Sequence, residues 1–122
     1  MRTYREQARL FKALAHPARL RILCALQEEG QYVCHLVALL GRSQPTVSQH
    51  LAILRAAGLV VDEREGNRIL YRLNDGWLLW LLELLAEERE EAPLRLQERE
   101  VWRVCSCPRC SQRREQEEIA DR

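Results

Sequence analysis

The chain has 122 residues, 47% of them hydrophobic, with 19 basic and 18 acidic side chains and a net charge of +1. That is one domain's worth of core, no apolar run approaches the ~20 residues of a membrane span, and the amphipathic start MRTYREQARLFKAL is not a signal peptide, so a soluble cytoplasmic protein is expected. The charge excludes a broad polybasic surface, yet it is uneven: residues 1–82 carry 11 basic and 7 acidic side chains and residues 83–122 carry 8 and 11, so the front of the chain is the part suited to a polyanion.

In residues 4–15, YREQARLFKALA, one helical stripe holds Tyr4, Ala8, Phe11 and Ala15, with Leu10 and Leu14 beside it, which predicts a first helix. His16-Pro17 ends it, because the residue before proline is pushed out of the helical region. Pro17 then opens a second helix, Ala18 to Glu28, with Leu20, Ile22, Leu23 and Leu26 inward and Gly30 at its close. Cys24 within it reads as a small core hydrophobe. A third helix is expected over Val33 to Leu40.

From Gly41 to Leu59 the chain reads GRSQPTVSQHLAILRAAGL: a turn, a helix from about Gln44 with Ser43 as N-cap and Pro45 in its first turn, and a stop at Gly58. Val47, Leu51 and Leu54 share one face with Ile53 beside it, and Gln44, Thr46, Ser48, Gln49 and His50 fill the rest. A solvated face would favour Glu and Lys; hydroxyls, amides and an imidazole are groups that bond base edges and phosphates. Helix, glycine-containing turn and polar-faced helix make a helix-turn-helix. Next, LVVDERE and RILYRL flank a Gly66-Asn67 turn as a two-stranded hairpin, with Arg64, Arg68 and Arg72 on or near it to follow a nucleic-acid backbone or enter a groove. The expected fold class is mainly α with a β-hairpin wing, a winged helix-turn-helix.

Gly76 to Glu91, GWLLWLLELLAEEREE, starts hydrophobic nearly all round, so it needs burial on two sides, and a two-fold homodimer built on it and the first helix is predicted. Ala92-Pro93 breaks that helix, and PLRLQEREVWRV forms one more with Leu94, Val101 and Trp102 apolar. The charged SQRREQEEIADR is expected to fray. Residues 1–92 then form the DNA-binding and dimerisation domain, and 93–122 a C-terminal helix and Cys-rich sensing tail.

LFKALAHPARLRIL, SQPTVSQHLAILRAAGLV and the DEREGNRILYRL wing, in unbroken order over about residues 5–85, resemble the ArsR/SmtB family of bacterial metalloregulatory repressors. The resemblance implies a homodimer that occupies double-stranded operator DNA and leaves it when an inducer binds, with Ser43, Gln44, Thr46, Ser48, Gln49 and His50 at the DNA. The family's arsenic-type members carry Cys-Val-Cys-Asp-Leu before the recognition helix. Here the stretch is Tyr32-Val33-Cys34-His35-Leu36, which keeps only the second cysteine. A histidine-containing site on the long dimer helix, also used in the family, has no counterpart in Gly76 to Glu91.

Five cysteines in a cytoplasmic protein point to metal or redox chemistry rather than a disulfide framework. Cys105, Cys107 and Cys110 crowd three thiols into six residues, with Arg103 and Arg109 to lower their pKa, and such a set suits a soft thiophilic ion. The three would hold As(III), and Cys34 as a fourth would complete a tetrahedral site for zinc or cadmium. His35 reads as a surface or capping residue. The leading expectation is a repressor released by such an ion. The alternative is a redox or persulfide sensor that switches through a Cys34–tail disulfide or polysulfide. An oxidoreductase is not expected, since Cys107 to Cys110 lacks a βαβ setting.

Overall fold

The computed structural model describes residues 3–27, 29–74, 76–86, 101 and 104–120. Helix α1, Tyr4–Leu14, begins with a capping box: Thr3 Oγ1 accepts from the Glu6 N–H at 3.2 Å, and the Glu6 carboxylate accepts from the Thr3 N–H at 2.7 Å. Its inner face buries Leu10 and Ala13, while Tyr4 and Phe11 stand 92% and 69% exposed. The aromatic stripe therefore points away from the protein's own core. Helix α2, Pro17–Ala25, is N-capped by His16, whose Nδ1 accepts from the Ala18 N–H at 3.1 Å. It buries Ile22, Leu23 and Cys24 and ends three residues before the predicted Glu28. Gln31 Nε2 donates to the Ala25 carbonyl at 3.2 Å, satisfying the end of the helix.

Strand β1, Gln31–Tyr32, was not expected, since two residues show no periodicity. It leads into α3, Val33–Leu40, which closes on Gly41 at φ 62°. Helix α4, Gln44–Ala56, starts where Ser43 Oγ accepts from the Thr46 N–H at 3.4 Å and buries Val47, Leu51 and Leu54 completely. Strands β2, Val60–Glu65, and β3, Arg68–Leu73, form the predicted hairpin, turning at Gly66 (φ 59°) with Glu65 opposite Arg68. β1 adds to the other edge of β3, Gln31 opposite Tyr71, giving a three-stranded antiparallel sheet of order β1-β3-β2. Gly30 permits that approach, because a Cβ there would lie 2.7 Å from Arg72 Cγ.

Helix α5 is described over Gly76–Ala86; it buries Leu78 and Leu82 and leaves Trp80 68% exposed, with Leu84 and Leu85 beside it. Glu87 to Glu91, and Leu94 and Trp102 of the expected following helix, lie outside the described residues. Val101 is helical and buried. Helix α6, Pro108–Ala120, corrects the expectation of a frayed tail. Its first two turns are fixed by packing and ion pairs, described below. Val101, Cys105, Cys107 and Cys110 join the same buried cluster as the side chains of α1 to α5. Among the described residues no helix is long and apolar enough to cross a membrane.

Candidate nucleic-acid interface and thiol cluster

Helix α4 divides as its sequence pattern requires. The apolar side is packed on α2 and α3, and Ser43, Gln44, Ser48 and Gln49 are exposed. Thr46 is half-buried, its hydroxyl 2.9 Å from that of Ser43. His50 is also half-buried: its Nδ1 accepts from Arg19 Nε at 3.2 Å and its ring centroid is 4.5 Å from that of His16. Burial, then the positive neighbours His16, Arg19 and Arg42, hold the His50 pKa below the ordinary histidine value. At neutral pH the ring is uncharged and Nε2–H is its remaining donor. Arg19 also donates to the Lys12 and Ala13 carbonyls at 3.3 and 3.4 Å, which ties the end of α1 to this helix.

On the wing Arg64 is exposed, while Arg72 lies 3.3 Å from Glu63. Arg68 is half-buried and its guanidinium donates to Cys34 Sγ at 3.2 Å. Together with Val33, Val37 and Gln44, these two line a cleft of about 310 Å³ between the wing and the start of α4.

The three tail cysteines converge, and their fourth neighbour is His35. The sulfurs of Cys105, Cys107 and Cys110 and a ring nitrogen of His35 all lie within 4.8 Å of one another, and all four residues are buried. His35 Nδ1 is 3.2 Å from Cys110 Sγ, and Cys107 Sγ accepts the Cys110 N–H at 3.4 Å as a cap on α6. The four-membered group thus contains His35 where the sequence reading placed Cys34. Adjacent helical residues point about 100° apart, so α3 can offer only one of the pair to the tail. His35 is 1% exposed and takes the inward position. Cys34 faces the wing, though it is near enough for its charge to be felt at Cys105.

Burial pushes the Cys105 thiol up to about 11, and burial with the Cys107 hydrogen bond raises Cys110 as well. At Cys107 burial acts in the same direction. It is outweighed by hydrogen bonds from the backbone N–H of Cys110, the neighbouring thiols and the backbone of Arg109, so the net shift is downward. Cys107 is therefore the first thiolate of the three.

Arginines hold the tail in place. Arg113 is 2.6 Å and Arg109 3.5 Å from the Glu29 carboxylate. Arg109 also donates to the Gly30 carbonyl and lies 5.5 Å over the Tyr32 ring. Arg114 donates to the Cys105 carbonyl at 2.6 Å. The contacts of Arg109 and Arg113 are not visible in local sequence, since Glu29 and Arg113 are 84 residues apart. The signal that was available was the substitution of His35 into the Cys34-x-Leu36 stretch.

A tetrahedral zinc ion with Zn–S of about 2.3 Å and Zn–N of about 2.0 Å needs S···S edges of about 3.8 Å and N···S edges of about 3.5 Å. Ligand atoms within 4.8 Å of one another, one pair already at 3.2 Å, need only small rotamer adjustments to meet that. The donor set and its size fit a thiophilic ion.

Four helices ending in an exposed polar-faced α4, followed by an arginine-bearing hairpin, define a winged helix-turn-helix DNA-binding protein. The bacterial regulatory protein arsR family matches residues 16–61. The HTH-type transcriptional repressor SmtB of Mycobacterium tuberculosis is 46% identical over 84 residues, 68% of this chain and 62% of its own length. The arsenical resistance operon repressor of Escherichia coli K12 is 42% identical over 79 residues, 64% of this chain and 68% of its own. Among solved structures, the homodimeric winged helix-turn-helix domain of Mb0332 from Mycobacterium bovis superposes with a TM-score of 0.62 at 35% identity, covering 70% of this chain and 82% of that one. The chain belongs to the ArsR family. The matched family segment ends at residue 61, so it carries His35 and the recognition helix but none of the three tail cysteines.

Proposed function

We propose that the protein is a homodimeric transcriptional repressor whose operator is released when a thiophilic ion, As(III), Zn(II) or Cd(II), binds the tail cysteines. The observation that carries this reading is the burial of three thiols and an imidazole within 4.8 Å, with the imidazole on α3, the helix packed directly on the recognition helix. On the DNA side, Ser43, Gln44, Thr46, Ser48, Gln49 and His50 read the major groove, and Arg64 and Arg68 approach the backbone from the wing. Tyr4 and Phe11 on α1 and Trp80, Leu84 and Leu85 on α5 supply the apolar surface for the partner subunit. Residues 93–122 act as the sensing segment of a chain whose first 92 residues bind DNA and dimerise.

The coupling is mechanical. An ion that joins the tail to α3 changes how α3 supports α4, and it weakens DNA binding only by preferring the DNA-free arrangement, a coupling of roughly 1 to 3 kcal/mol. The test is fluorescence anisotropy of the reduced protein on its own upstream promoter DNA at one fixed salt concentration, titrated with arsenite, zinc, cadmium and a persulfide donor. Release by at least one of the three ions at near-stoichiometric amounts is the expected result. Release by the persulfide donor alone, reversed by dithiothreitol, would replace ion binding with a disulfide or polysulfide switch.

A further inference from the structure

Resting on the ion-release reading above, we infer that His35 is the specificity-determining ligand of the cluster, and that it makes this a site for a four-coordinate divalent cation, zinc or cadmium, rather than for arsenite. The argument begins with coordination number. As(III) forms a trigonal pyramid on three thiolates and has no use for a fourth donor. Zinc and cadmium take four, and Cys3His is one of the standard tetrahedral sets. In this protein the fourth donor is already in place: His35 is 1% exposed and its Nδ1 lies 3.2 Å from Cys110 Sγ. The imidazole is a polar group held inside the protein, and the groups it meets there are the three sulfurs.

Charge supports the same choice. Three thiolates and a neutral imidazole around a divalent ion leave one net negative charge, whereas three thiolates on As(III) leave none. A cation suited to the charged case borders the cluster: Arg114 donates to the Cys105 carbonyl at 2.6 Å. The donors also come from two parts of one chain, α3 and the tail, so a four-coordinate ion ties them together, while arsenite on Cys105, Cys107 and Cys110 would stay within the tail. Only the former joins the ion directly to the helix beneath α4.

The test measures binding and DNA release separately in the full-length reduced protein. Zinc affinity is obtained by competition with a chromophoric chelator, arsenite affinity by titration, and ligand number from the charge-transfer and ligand-field bands of the cobalt(II)-substituted protein. In H35N, which keeps a polar side chain of similar length, zinc affinity is expected to fall by at least about a hundredfold. Arsenite affinity should stay within about threefold of wild type, and H35C should restore tight zinc and cadmium binding with a four-thiolate cobalt spectrum. Zinc bound by H35N as tightly as by wild type would overturn the inference. So would a parallel loss of zinc and arsenite, which would make His35 a packing residue. Wild-type protein that binds zinc with the Cys3His signature yet keeps its operator would leave the ligand assignment standing and overturn the release reading instead.

Discussion

Helices α4 and α6 are both 13 residues long and both have proline in the first turn, yet they are held by opposite forces. α4 buries Val47, Leu51 and Leu54 and turns its hydroxyls and amides outward. α6 buries Cys110 near its start, runs outward as charged residues, and leaves its one large apolar side chain, Ile119, 70% exposed. Transfer of apolar surface from water secures the first without any ligand. Thiols, arginine contacts and a histidine secure the second, and thiols crowded together are worth most when an ion joins them. The contrast separates a helix held by its own apolar packing from one held by polar and ionic contacts.

The largest expected effect tests that contrast at its apolar end. Leu51→Ala should lower the unfolding free energy by about 2–5 kcal/mol in urea titration, because a fully buried side chain leaves a cavity. Ile119→Ala on α6 should change it by less than about 0.5 kcal/mol. Equal losses would mean that α6 is packed as α4 is.

Next is the ligand. Zinc at about 100 times its dissociation constant should stabilise the wild-type fold by about 2.7 kcal/mol, seen as a rise in Tm, and C107S should lose that gain. A full shift retained in C107S would take the ion away from the cluster.

The pH dependence follows from the raised thiols. Cys105, pushed up to about 11, and Cys110, also raised, are protonated at neutral pH, so zinc must expel their protons and acid competes with it. Apparent zinc affinity should therefore rise with pH and fall as pH is lowered, by at least about a hundredfold per unit near neutral pH, where both of these thiols are protonated. Calorimetry in buffers of different ionisation enthalpy should count at least about two protons released per zinc, one each from Cys105 and Cys110. Fewer than one would show that the thiols are already ionised.

The smaller effects belong to α4 and the wing. Gln49→Ala should cost about 1–3 kcal/mol on the operator and little on random DNA, as expected for a base contact. Arg64→Ala should weaken both alike and reduce the salt slope by about one, the mark of a phosphate contact. Anisotropy at several salt concentrations separates the two, and a Gln49→Ala protein with unchanged operator preference would remove that residue from the set.

Most of the frame was legible because it is written in local patterns. The Ser43 cap, the Pro45 start, the Val47–Leu51–Leu54 face, the Gly66-Asn67 turn and the alternation on either side of it all act within a few residues, so the winged helix-turn-helix followed from spacing. The outward stripe of Tyr4 and Phe11 was legible too, though its direction was not, since periodicity defines a face but not which of two surfaces it meets. The spacing of three cysteines within six residues was legible as a group of thiols that the fold brings together. The sequence reading names Cys34 as the fourth donor and takes His35 for a surface or capping residue; that His35 is the one buried beside the three sulfurs depends on how α3 packs, because neighbours on a helix differ only in direction. The sequence also could not show that the charged tail is a helix, because the contacts of Arg109 and Arg113 with Glu29 close a loop of about 80 residues. Local chemistry determined the elements. Tertiary packing decided which side chains meet, because burial and long-range ion pairs exist only once the chain has closed on itself.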